Sequence, residues 1–172
     1  RILFEKILDE VNPDYEQQGG YILQVSGTYF KTYIRALKGL DIKVIVKTDN
    51  DLRGKKGNIQ EYELLGINRC CDLINMDKIE NIIMPFNSET KREEKLTQLK
   101  SKKKELYKEY ESLINQFKQN NIYLSEIDLE NDLFSIIGPK MSKYLQKEEH
   151  KVVSYLQDRK LFNMVELIEH LT

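Results

Sequence analysis

The chain has no tryptophan, only three prolines and only two cysteines. Cys70 and Cys71 are neighbours and form no CxxC pair. That argues against a disulfide scaffold or a cysteine-based zinc site and fits a reducing cytoplasm. No stretch of 18 apolar residues occurs, so no membrane span and no membrane partner are expected. Neither a GxGxxG nor a GxxxxGK[ST] loop is present, and HExxH and the nucleophile elbow are missing too. Dinucleotide, P-loop, zincin and covalent Ser/His/Asp chemistry therefore have no support. The two histidines, His150 and His170, lie in charged helical contexts and read as surface residues. An excess of one charge is also lacking: 27 Lys and Arg face 28 Asp and Glu, a net of −1. A uniformly basic nucleic-acid coat and an acidic disordered tail are both ruled out.

What is present is a folding composition. Hydrophobic residues make up 40% of 172, with ten tyrosines and six phenylalanines. This length suits one domain, or one with an appendage, burying roughly two thirds of its unfolded surface. The chain opens at Arg1 in mid-helix pattern, which reads as a piece of a longer protein. The near-zero net charge hides local bias. Residues 31–57 carry eight basic and three acidic side chains, residues 91–118 nine and five, and residues 121–135 four acids without a Lys or Arg. The near-zero sum thus hides basic segments able to meet phosphate and an acidic one able to hold a cation.

Periodicity organises the rest. Ile2, Leu3, Phe4, Ile7, Leu8 and Val11 fall at helical spacing over residues 1–12. Residues 21–25 (YILQV) read as a short strand, residues 29–40 as a helix ending near Gly39, and residues 42–46 (IKVIV) as a strand buried on both faces. This alternation argues for an α/β fold. Residues 52–57 read as a Gly/Lys-rich loop, 58–75 as a helix, and 79–86 as containing a short edge strand before Pro85. Residues 88–120 read as one long charged helix with a single apolar seam of Leu96, Leu99, Leu106, Tyr110, Leu113 and Phe117. Its run of Lys100, Lys102, Lys103 and Lys104 suits either a solvated face or an arm on a partner or nucleic-acid backbone. Residues 122–124 are a strand candidate, and helices follow, with a break at Gly138-Pro139 and a last helix over 161–171.

Two acidic sites and one lysine carry the chemistry. Asp49 and Asp51 follow the buried strand, and in open α/β sheets ligands bind beyond the carboxyl ends of strands. Carboxylates at i and i+2 of extended chain share a side and suit a hard cation such as Mg²⁺; the same residues also make ordinary turns. The second site is Asp128, Glu130 and Asp132, where Asp128 reads equally well as a helix N-cap. Two such clusters facing each other would suit two-metal phosphoryl transfer. Lys160 precedes an apolar helix and is either a surface lysine or a group that neutralises a phosphate.

The segment VSGTYFKTYIRALKGL followed by IKVIVKTDNDL resembles the Toprim domain of OLD-family nucleases. The likeness is closer still to the nuclease subunit of the Gabija anti-phage defence system. It is carried by ILFEKILDEVNPDYEQQGGYILQVSGTYF, by VKTDNDLRGKKG with YELLGINRC, and by IYLSEIDLENDL with YLQ-x-x-KLFNMVEL, in that order. The resemblance implies a Toprim-like parallel sheet flanked by helices, with an inserted long charged helix and a helical C-terminal part. It divides the chain into a Toprim core at 1–87 lacking its first strand, the inserted helix at 88–120, and the remainder at 121–172. It implies Mg²⁺ or Mn²⁺ on Asp49, Asp51, Asp128 and Glu130, with Asp49, Asp128 and Lys160 in the catalytic roles. The family's first Toprim carboxylate lies on an upstream strand, before this segment begins. Double-stranded DNA is the implied substrate, a helicase-like Gabija subunit the implied partner, and a homo-oligomer the implied full-length state. ATP would act through an N-terminal ATPase domain outside this chain. Two rival readings stand beside it: an Asp-x-Asp nucleotide-sugar transferase, and a non-catalytic interaction module built on the long helix.

Overall fold

The computed structural model describes residues 1–25 and 30–170. These fall into two compact units, Gly27–Asp132, and Arg1–Ser26 with Leu133–Thr172.

The Gly27–Asp132 unit is mixed α/β. Helix α1 (Ile2–Val11) belongs to the other unit; here α2 (Phe30–Gly39) comes first and buries Ile34. Strand β1 (Val46–Thr48) pairs in parallel with β5 (Ile122–Leu124), in the register Val46–Ile122, Lys47–Tyr123 and Thr48–Leu124. Between them run β2 (Arg53–Lys55), β3 (Asn58–Glu63), α3 (Leu65–Leu73), β4 (Ile82–Ile83), α4 (Arg92–Glu109) and α5 (Glu111–Gln119). The core joins Val46, Ile122 and Leu124 of the parallel pair to Ile67, Cys70 and Cys71 of α3 and to Leu106, Ile114 and Phe117 of α4 and α5. This is a short parallel sheet flanked by helices, a Toprim-like arrangement. Burial pushes the Cys70 thiol up to about 12 and raises that of Cys71, so both serve as small core hydrophobes rather than nucleophiles.

Several elements differ from the pattern read in the sequence. IKVIV supplies only its last residue to β1, and Ile45 is 65% exposed, so this strand is not buried on both faces. Its partner β5 is three residues long, and the ladder extends only where β5 offers hydrogen bonds. Residues 21–25 form no strand; Tyr21 and Leu23 stay exposed. The helix expected over 58–75 is an antiparallel hairpin followed by α3. Gly57 turns the hairpin at φ +85°, and Arg53–Glu63 and Lys55–Glu61 pair across it at 2.5 and 2.8 Å. Tyr62 of β3 stacks edge-on against Phe86 at 5.7 Å, a packing reward that outweighs the helical spacing of this segment. The long charged helix is two helices, broken at Tyr110, and Leu96 of its seam is half exposed while Ile114, off the seam, is buried. The Ser26–Tyr29 start expected for α2 lies outside the described residues.

The other unit is helical. It contains α1, most of α6 (Leu129–Leu145), α7 (Glu149–Asp158) and α8 (Lys160–Glu169). Met141, Leu145, Val152, Leu156 and Leu167 form its core. The break expected at Gly138-Pro139 is a bend inside α6, with non-helical backbone at Ile137, because Pro139 lacks an N–H and crowds the preceding turn. Asn163 donates to the Tyr155 carbonyl at 2.6 Å and the Tyr155 hydroxyl donates to Glu166, tying α8 to α7. Among the described residues no helix is long and apolar enough to cross a membrane.

Candidate metal centre

Because β1 and β5 run parallel, their carboxyl ends share one edge, and each releases its acidic segment there. Asp49 follows β1, and residues 125–128 follow β5 into the start of α6. The two meet directly: the Leu129 N–H donates to Asp49 Oδ1 at 3.1 Å. Asp128 caps the same helix, its Oδ1 accepting from the Asn131 N–H at 2.9 Å and from Asn131 Nδ2 at 2.6 Å. The N-cap alternative for Asp128 is thus realised, and the positive end of α6 faces both carboxylates.

A buried lattice of bonds fixes this edge. Asn50, fully buried between the two acids, donates from Nδ2 to the carbonyls of Lys103 at 3.1 Å and Glu126 at 3.0 Å. Its own N–H donates to the Ile127 carbonyl at 3.2 Å, and the Ser125 N–H to the Thr48 carbonyl at 2.9 Å. Helix α3 closes in from the other side, with the Gly66 N–H donating to the Asp51 carbonyl at 3.0 Å. Gly66 is glycine of necessity. A Cβ there would lie 2.5 Å from the Asp49 carbonyl oxygen and 2.6 Å from the Asp51 nitrogen. Both are backbone atoms, so Gly66→Ala is expected to destabilise the chain by about 2–3 kcal/mol or more, read as a lower urea midpoint at unchanged slope.

Cations surround the acids. Arg69 of α3 reaches Asp51 Oδ2 at 3.4 Å, donates to the Thr48 hydroxyl and lies 5.4 Å from the Phe30 ring centre. Lys47 pairs with Asp132 at 2.7 Å, and Asp132 also accepts from the Glu126 N–H at 3.2 Å. Glu130, in the first turn of α6, is buried. Burial, reinforced by Asp132 and Glu126, raises the Tyr107 hydroxyl above its ordinary value.

Among the described residues, no three His, Cys, Asp or Glu side chains gather into a cluster able to hold a metal ion. The donor chemistry still fits a hard cation. Mg²⁺ is usually bound by one or two carboxylates with water and phosphate oxygens completing its shell, and Asp49 and Asp128 converge on one helix end with oxygen ligands only. Asp51 is turned to Arg69. Lys160 opens α8 and is assigned to the helical unit, and the four acids are assigned to the Gly27–Asp132 unit.

Residues 1–51 match the family model for the TOPRIM domain of overcoming lysogenization defect (OLD) protein-like proteins. This part of the chain is similar to an OLD-like Toprim domain. Across all of its 172 residues the chain is 48% identical to Endonuclease GajA of Bacillus cereus (strain VD045), of which it spans 29%. The family match ends on Asp51, so it includes β1 and both acids of the Asp-x-Asp pair. The lattice residues Asn50, Gly66 and Arg69 were not singled out by motif reasoning. Asn50 is legible only as the middle of an acidic turn, and Gly66 and Arg69 only as members of the block YELLGINRC.

Proposed function

We propose that this segment is the Toprim part of a DNA endonuclease of anti-phage defence that hydrolyses phosphodiesters with a divalent cation. The observation that carries the reading is the 3.1 Å bond from the Leu129 N–H to Asp49, which joins the two acidic loops at one strand edge. In this reading Asp49 and Asp128 hold Mg²⁺ or Mn²⁺, with Asp51 and Glu130 as the further carboxylates and Lys160 on the phosphate. A bound divalent ion would supply an activated water and neutralise charge on the phosphoryl oxygens. The chain's own contribution is positional. Leu129 orients the Asp49 carboxylate, and Asn50 fixes the backbone that bears it. Lys47 pairs with Asp132 and Arg69 with Asp51, which offsets the repulsion between closely spaced carboxylates. Duplex DNA as substrate, ATP control from another domain, a helicase-like partner and a homo-oligomeric state belong to the same proposal. The similarity to Endonuclease GajA supports it.

The test uses the complete protein on supercoiled plasmid. Nicking is expected with Mg²⁺ or Mn²⁺ and none in excess chelator. Asp128→Asn and Lys160→Ala are each expected to slow it by at least about tenfold. Nicking that persists in chelator would sink the metal-dependent reading, and full activity in both variants would sink the site assignment. A complete protein that neither nicks nor binds metal would instead favour the interaction-module reading.

A further inference from the structure

Helix α4 is docked on the acidic edge by Lys103. Its carbonyl accepts from Asn50 Nδ2 at 3.1 Å, and its ammonium donates to the Ile127 carbonyl at 3.4 Å. Ile127 immediately precedes Asp128. Three cations from three elements therefore surround the centre: Lys47 from β1, Arg69 from α3 and Lys103 from α4. They differ in how their charge is used. Lys47 ends on Asp132 and Arg69 on Asp51, whereas Lys103 ends on a neutral carbonyl. Its neighbours on the helix are spent or remote: Lys102 pairs with Glu105 at 2.6 Å, and Lys104 is exposed. A half-buried ammonium satisfied by a carbonyl keeps its full charge for an anion, and a flexible lysine stem lets it move to one.

We propose that Lys103 is a phosphate-binding residue of this centre, taking one backbone phosphate of duplex DNA beside Asp49 and Asp128. This rests on the endonuclease reading. A lysine that pairs with a phosphate releases about one condensed counterion, so it contributes about 0.9 to the slope of log affinity against log salt. A lysine that only holds Ile127 contributes affinity without slope.

The experiment measures duplex DNA binding by the complete protein across a salt series, with Ca²⁺ in place of Mg²⁺ to block cutting. Lys103→Gln keeps an N–H for the Ile127 carbonyl and removes the charge; it is expected to lower the slope by about 0.9, and Lys103→Arg to restore it. Lys104→Gln, on the exposed side of the helix, is expected to leave the slope unchanged. An unaltered slope in Lys103→Gln, or an equal drop in Lys104→Gln, would overturn the proposal. Plasmid nicking by the unsubstituted protein in Mg²⁺ reports separately on the reading beneath it. A protein that nicks while Lys103→Gln keeps its slope loses only this inference; one that neither nicks nor binds duplex loses both.

Discussion

Asp49→Asn should slow plasmid nicking by the complete protein by at least about a hundredfold while leaving the fold nearly intact. The two halves of that expectation come from different atoms. Asparagine is close to aspartate in shape, and its carbonyl oxygen can still accept the Leu129 N–H that now reaches Asp49 at 3.1 Å. The helix end therefore keeps its partner. Losing the negative charge at the α6 N-terminus costs no more than about 1 kcal/mol. A hard cation, by contrast, is held by charged oxygens, and an amide oxygen is a far weaker ligand for it. The readouts are the nicking rate over a Mg²⁺ titration and the urea midpoint of the same preparation. Nicking at the parent rate would remove Asp49 from the centre. A collapsed midpoint would mean that its role is to hold α6. Asp51 is a poorer probe, since its removal also strands the mostly buried Arg69 guanidinium.

The acidic edge was legible because three signals in the sequence were local. A β-branched run, two acids directly after it and an acid-only stretch later in the chain are all visible without knowing any contact. Parallel pairing of β1 with β5 then brings the last two together, and that follows from the α/β pattern. What escaped was set by partners distant in sequence. The β2–β3 hairpin depends on Tyr62 meeting Phe86 and on cross-strand ion pairs, none of which shows in the helix-like spacing of residues 58–75. Residues 21–25 alternate like a strand, but no described strand pairs with them. The split of the charged helix at Tyr110 brings Ile114, off the seam, into the core beside the seam's own Phe117, a choice made by packing rather than by periodicity. In the site itself, Arg69 looks like an ordinary helix-surface cation, and Lys103 shows in the sequence only as an interruption of the apolar seam. Only the folded chain places one under Asp51 and the other over Ile127.

The largest effect on stability is expected at Asn50. This side chain lies between the two acids and is fully buried, and it holds the β1 loop to two other elements at once. Its amide donates to the Lys103 carbonyl in α4 and to the Glu126 carbonyl after β5. Asn50→Ala would leave both carbonyls buried without that donor and open a small void, a combined loss of about 2–5 kcal/mol. Asn50→Asp should be worse at neutral pH, because it puts a carboxylate against two carbonyl oxygens with no N–H to offer. Its deficit should shrink on acidification, since only the protonated acid can donate to either carbonyl. Asn50→Ala would show no such recovery. Urea unfolding of the three proteins at neutral and mildly acidic pH reads all of this. A pH-independent Asn50→Asp, or an Asn50→Ala within about 0.5 kcal/mol of the parent, would show that the amide bonds do not hold the edge. The same lattice carries Asp49, so a destabilised Asn50→Ala should also weaken Mg²⁺-dependent nicking below the unfolding midpoint. The acids would then be present with their spacing no longer fixed.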